Sequence, residues 1–329
     1  MPDRILIHDP IPPKHMVGTL PKGMAATLKY TLHHYASQNT LQRLGVWEVD
    51  RGNKYWIVYI HGGAWRDPRI THGTFVPSID QILTTTPADT DGTIAGFASI
   101  DYRLGPHPDF PQDPATTPAA EYRGARHPDH LDDVRSALAF LQRTYGFASN
   151  YLLVGHSAGA ALAFQLLATS PPAATAGVGM PLPALPALPA AIIGFGGLYD
   201  FTGINRRFGE AYESFFSGAF GDGPSAWDRA APIKFSGSYA ETWAAGKLVV
   251  LGSSPEDTLV DEPEAENMAR RLRDCDGFVA EERDGSGVQG EKRLLLLKDL
   301  RGDHNEVWRS GEHVARMVWI VLRKLEADV

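Results

Sequence analysis

The chain has 329 residues, 43% of them hydrophobic and 21% charged, a balance that fills a sizeable core in a soluble globular protein and excludes a disordered one. A formal net charge of -8 leaves no excess of Lys and Arg to displace counterions, which excludes nucleic acid and anionic lipid as electrostatic partners and favours a small molecule. The single cysteine, Cys275, excludes an internal disulfide, and the first residues lack the basic start and apolar run of a secretory signal, so a cytoplasmic location is expected.

Tyr55 to Ile60 is a short β-branched and aromatic run ending at Gly62-Gly63, the pattern of a buried strand entering a turn. Phe75 to Leu83 reads as a helix with Pro77 in its first turn, and Ile94 to Ile100 as a second strand. Residues 105–126 form a long polar, Pro-rich loop, a lid-like insertion. From Pro128, placed in a helix's first turn, Leu131, Val134, Leu138 and Leu141 recur at helical spacing with charged residues off that stripe. Tyr151 to Val154 is a strand leading into Gly155-His156-Ser157-Ala158-Gly159 and a helix that is apolar nearly all round.

No Asp, Glu, Lys or Arg occurs from Ser157 to Tyr199, but the prolines between Pro171 and Pro189 break any membrane-spanning helix there. A Pro/Ala loop, 171–190, is expected instead, followed by strands Ala191 to Phe195, Lys247 to Leu251 and Leu294 to Leu297 and helices Glu264 to Arg273 and Val314 to Leu325. Residues 201–231 are a second lid-like insertion. Alternating strands and helices imply right-handed crossovers, a mainly parallel central sheet with helices on both faces, and ligands at the carboxyl ends of the strands. One α/β domain over 1–329 accounts for the whole series.

Gly155 to Gly159 matches G-x-S-x-G between a strand and a helix, where the motif has mechanical meaning: a sharp turn lifts the Ser157 hydroxyl above the sheet, and side chains at 155 and 159 would collide. The alternative is a helix start with Ser157 as N-cap. Gly62 and Gly63 follow an earlier strand, at the place where an α/β-hydrolase fold supplies backbone N–H groups to an oxyanion; with the amide of Ala158 they form the candidate oxyanion hole.

A serine hydroxyl needs a base oriented by a third group, in the order Ser, acid, His. His304 lies in the loop after the last strand and is the candidate base; His313 opens the final helix as a surface residue. The acid should follow the Lys247 to Leu251 strand, where Asp257 is preferred over Glu256 and Asp261, the last being a helix N-cap with Pro263 behind it. Trp65 and Tyr102 are candidates for a pocket wall, with core packing as their alternative. His127, His130, Asp129, Asp132 and Asp133 are explained by helix initiation, so no metal and no cofactor is expected; Gly196-Gly197 lacks the further glycines of a nucleotide loop, and Gly285-Ser286-Gly287 reads as linker.

The segments from His61 to Pro68, Ser99 to Leu104, His127 to Asp133 and Gly155 to Ala160 together resemble the kynurenine formamidases (arylformamidases) of fungi, within the α/β-hydrolase superfamily. The resemblance runs from about residue 50 to the Asp303-His304 loop. It implies hydrolysis of N-formyl-L-kynurenine to L-kynurenine and formate, a step of tryptophan catabolism toward NAD biosynthesis, with Ser157, Asp257 and His304 as catalytic triad. The insertions at 171–190 and 285–290 and Ser253-Ser254-Pro255 before the acid depart from the family pattern. Two other readings remain at this point: a carboxylesterase of the hormone-sensitive-lipase-like type acting on short acyl esters, and a non-catalytic hydrolase-fold receptor. Among partners, only a small-molecule substrate is expected, with a homodimer left open.

Overall fold

Tyr55–Ile60 (β3) shows why the chain folds as it does: all six residues are buried, yet Val58 and Ile60 pack into one core while Ile57 and Tyr59 pack into another. Successive side chains of a strand leave on opposite faces, so an unbroken apolar run marks a strand covered on both sides. The same division recurs in Tyr151–His156 (β5) and Leu248–Gly252 (β7), where Leu153 and Val249 face one core and Leu152 and Val250 the other. The computed structural model describes residues 28–49, 54–87, 92–168, 186–282 and 291–327.

The remaining strands are Lys29–His34 (β1), Arg43–Glu48 (β2), Ile94–Ile100 (β4), Ala191–Phe195 (β6), Val279–Ala280 (β8) and Arg293–Leu297 (β9). They form one sheet of order β1-β2-β4-β3-β5-β6-β7-β9-β8. The pairs β1/β2 and β2/β4 are antiparallel; every other pair is parallel. The strands before and after residues 171–190 pair directly, β5 with β6. Of that Pro/Ala loop, residues 171–185 lie outside the described residues, as does the 285–290 insertion.

Helices Val76–Thr84 (α1), Glu306–Arg309 (α9) and Glu312–Glu326 (α10) contribute to the core on one face. Asp129–Tyr145 (α2), Ala158–Ala168 (α3), the short helices Phe201–Arg207 (α4), Glu213–Phe220 (α5), Pro224–Ala230 (α6) and Tyr239–Thr242 (α7), and Glu262–Asp276 (α8) cover the other. Helix α3 packs among α2, α7, β5 and β6, which is why its ten residues Ala158 to Leu167 are all buried. Glycines in the left-handed region end two of the long helices, Gly146 after α2 and Gly277 after α8. Pro128 is the N-cap residue of α2 and not a member of its first turn. Among the described residues, no helix is long and apolar enough to cross a membrane.

Candidate active site

Ser157 stands between β5 and α3 with φ +53, a left-handed conformation that a non-glycine residue adopts only when its surroundings force it. An N-cap residue sits in the extended region, so the helix-cap alternative does not describe this serine. The neighbouring glycines are obligatory. A Cβ at Gly155 would stand 2.6 Å from the Ala160 backbone, and one at Gly159 would stand 2.1 Å from the Ile60 carbonyl oxygen.

The loop after β3 comes equally close. A Cβ on Gly62 would lie 2.9 Å from the Ser157 Cβ, so only glycine lets this loop lie against the serine. Gly63, Ala64 and Trp65 all have positive φ, at +91, +49 and +60. The carbonyls of this loop are paired inside the protein: the Tyr102 hydroxyl donates to His61 O at 3.0 Å and to Gly62 O at 3.1 Å, and the Arg66 and Asp67 amides donate to Gly63 O at 3.0 and 2.9 Å. The N–H groups of Gly63 and Ala158 donate to no acceptor among the described residues. The first of these residues borders the cleft described below, and the second begins α3, whose leading amides have no partner within the helix.

Asp257 follows β7 and His304 follows β9, so adjacent parallel strands deliver them to the same end of the sheet as Ser157. His304 Nδ1 lies 2.8 Å from Asp257 Oδ2. The other carboxylate oxygen accepts the Leu259 and Val260 amides at 2.9 and 2.8 Å, which fixes the plane of the carboxylate. Its rivals have other partners. Glu256 accepts the Gly302 amide at 2.7 Å on the His304 loop, and Asp261, at the N-cap position of α8, makes no side-chain cap bond and instead receives Arg207 at 2.6 and 2.8 Å. His313 is half-buried on α10 and accepts the Arg301 amide at 3.0 Å.

Ser157, His156 and His304 border one cleft at this end of the sheet. Its walls come from Gly63, Ala64 and Ile70 on one side, Leu198, Tyr212 and Phe215 on another, and Leu259, Val260, Asn305 and Trp308 on the third. Trp65 and Tyr102 are not among them, which corrects the expectation that they form the pocket wall. Trp65 is buried edge-on against Phe201 and Phe220 at ring distances of 5.6 and 4.9 Å, and Tyr102 is stacked on His61 at 4.5 Å beneath the Gly62-Gly63 loop. The aromatic wall is supplied instead by Tyr212 and Phe215, from the 201–231 insertion, and by Trp308. The run Phe208, Tyr212, Phe215, Phe216 and Phe220 crosses the break between α4 and α5, so its spacing does not mark a single helix face that points to this wall.

Residues 105–126 border a separate hollow, with Arg123 and Arg126 beside Phe110, and not the Ser157 cleft. Arg66 ties the Gly62-Gly63 loop to α5: its guanidinium lies 3.9 Å over the Phe215 ring and donates to Ser214 O at 3.3 Å. Among the described residues no group of three or more His, Cys, Asp or Glu is placed to hold a metal ion. Asp133 accepts Gln42 and Arg103, each at 2.8 Å, and burial pushes His130 down to about 3.

The sheet order, its parallel core and the serine turn between β5 and α3 define an α/β-hydrolase fold. Among solved structures, Esterase B from Lactobacillus rhamnosis matches with a TM-score of 0.61 at 13% identity, covering 92% of this chain and 86% of that one. That likeness concerns the fold. No protein-family model matches the chain. Kynurenine formamidase avaC of Aspergillus versicolor is 36% identical over 79% of this chain and 86% of its own length. Kynurenine formamidase-like hydrolase fscH of Fusarium equiseti is 33% identical over 84% of this chain and 88% of its own. The chain belongs to the kynurenine formamidase family.

Proposed function

We propose that the chain is an arylformamidase that hydrolyses N-formyl-L-kynurenine to L-kynurenine and formate, with Ser157 as nucleophile, His304 as general base and acid, and Asp257 as the residue that orients His304. The observation that carries the reading is the 2.8 Å pairing of His304 Nδ1 with Asp257 Oδ2 beside the same cleft as a strained Ser157. Family membership supplies the substrate class.

In this reading Ser157 Oγ attacks the formyl carbon while His304 Nε2 takes its proton, and Asp257 stabilises the resulting imidazolium. The carbonyl oxygen becomes an oxyanion that accepts the Gly63 and Ala158 amides, with Gly62 giving the loop its close approach; each such donor contributes about 3 kcal/mol. Collapse of the tetrahedral species breaks the C–N bond, and because an anilide anion is a poor leaving group, His304 must return the proton to that nitrogen. The formyl ester on Ser157 is then cleaved by a water that His304 deprotonates, releasing formate.

Comparison of kcat/KM for N-formyl-L-kynurenine with that for p-nitrophenyl acetate tests the reading against a carboxylesterase. A preference for the formamide is expected; a large preference for the simple ester would defeat it. A protein that failed to react with a fluorophosphonate probe would be a receptor and not an enzyme.

A further inference from the structure

The cleft beside Ser157 is poor in polar side chains that are free to meet a substrate. Among the described residues, none on its walls carries an acidic, Lys or Arg side chain. The Tyr212 hydroxyl donates to Leu259 O, and the Trp308 indole N–H donates to Asn305 Oδ1 at 3.3 Å. Apart from Ser157 and the two histidines, the carboxamide of Asn305 is therefore the polar side chain left with hydrogen-bonding capacity. Its orientation is set: with Oδ1 accepting the indole, Nδ2 is the free end, and it has no acceptor among the described residues. Its backbone is held as firmly, since the Asn305 amide donates to Asp303 Oδ1 at 2.8 Å at the start of α9.

Asn305 directly follows His304, the residue that must reach the departing nitrogen. His304 and Asn305 both border the cleft. In N-formyl-L-kynurenine the ring substituent ortho to that nitrogen is a ketone, a neutral acceptor suited to a neutral donor in an apolar wall, whereas a carboxylate in the same place would call for a cation. We propose, on the basis of the arylformamidase reading, that Asn305 Nδ2 donates a hydrogen bond to the ortho ketone of the leaving group and that Trp308 is the positioning residue that keeps Nδ2 turned toward it. The contact makes Asn305 a specificity determinant for ortho-acyl formanilides. A plain formanilide would bury the Nδ2 donor without an acceptor, and an unpaired buried donor is what lets a site reject an analogue lacking one polar group.

The test measures kcat/KM for N-formyl-L-kynurenine and for formanilide in the parent, in Asn305→Leu and in Trp308→Phe, which keeps a ring and removes the N–H. The ratio of the two values is expected to fall about tenfold in Asn305→Leu and about threefold in Trp308→Phe, the size of one hydrogen bond and of its loosened orientation. A ratio within about twofold of the parent in Asn305→Leu, whatever the absolute rates, would overturn the assignment, because damage to folding or to His304 lowers both substrates together. Failure of the parent itself to cleave N-formyl-L-kynurenine, with p-nitrophenyl acetate still cleaved, would instead defeat the function proposed above and this assignment with it.

Discussion

His156 Nε2 lies 3.1 Å from the carbonyl oxygen of His304, and the two imidazole rings are 4.5 Å apart. The residue before the serine thus holds the loop that carries the histidine. Burial, reinforced by the neighbouring His304, pushes the His156 pKa well below its ordinary value, so the ring stays neutral and its Nε2–H serves as donor. His156→Leu is expected to lower kcat about 10- to 100-fold with KM changed less than about threefold, because the tether orients the base and does not hold substrate. Steady-state kinetics on N-formyl-L-kynurenine decide it, and an unchanged kcat would show that the His304 loop needs no such tether.

Asp257 uses both carboxylate oxygens, one on two backbone amides and one on His304. In Asp257→Asn the amide-facing oxygen keeps its bonds, so the new NH2 faces His304 Nδ1 and forces the tautomer with its proton on Nε2. A loss of about 10³- to 10⁴-fold in kcat is expected, with thermal stability retained. Glu256→Ala removes exposed contacts to the Gly302 amide and to Arg301, and its kcat should stay within about threefold of the parent. Equal losses in the two variants would remove Asp257 from its assigned role.

The glycines at the serine turn differ in kind from those at helix ends. Gly159→Ala drives a Cβ into the Ile60 carbonyl at 2.1 Å and requires backbone movement between α3 and β3, whereas Gly146→Ala at φ +72 meets no atom within 4 Å. Urea unfolding should show Gly159→Ala destabilised by about 3 kcal/mol or more and Gly146→Ala by about 1–2 kcal/mol. Similar losses in both would mean that the turn relaxes freely around residue 159.

What the sequence makes legible follows the range of the interactions involved. Ser157, His304 and Asp257 come to one end of the sheet because each sits just beyond an apolar strand in a parallel α/β series, a local pattern with a topological consequence. The antiparallel pair Lys29–His34 and Arg43–Glu48 escapes the same reading: the first is half exposed and polar, the second is short and interrupted by Gly45, and both are strands only through partners elsewhere in the chain. The cleft walls are harder still. Tyr212 and Phe215 lie on or beside helices of seven to eight residues, too short for periodicity to stand out, while Trp65 and Tyr102 sit beside the right glycines but are claimed by the core. A ring next to a Gly-rich loop carries no mark of which side of that loop it occupies.

His130 is fully buried, and burial, aided by His127, pushes its pKa down to about 3. The unfolded chain protonates this histidine near its ordinary value of 6.5 and the native state does not, so stability is complete above pH 6.5 and falls as the pH drops from there toward 3. One such group contributes a slope of about 1.4 kcal/mol per pH unit. Urea unfolding between pH 6 and 4.5 should therefore show a shallower acid slope in His130→Phe than in the parent, by about that amount. Parallel slopes would mean that His130 takes up its proton in the folded protein.

The central claim, that Ser157 and His304 cleave an aryl formamide, is met most directly by following release of formate and L-kynurenine from N-formyl-L-kynurenine by the parent and by Ser157→Ala. The parent is expected to release the two products in equal amounts, and Ser157→Ala to retain less than about one part in 10⁴ of its kcat. No product from the parent, or an undiminished rate in Ser157→Ala, would contradict the account.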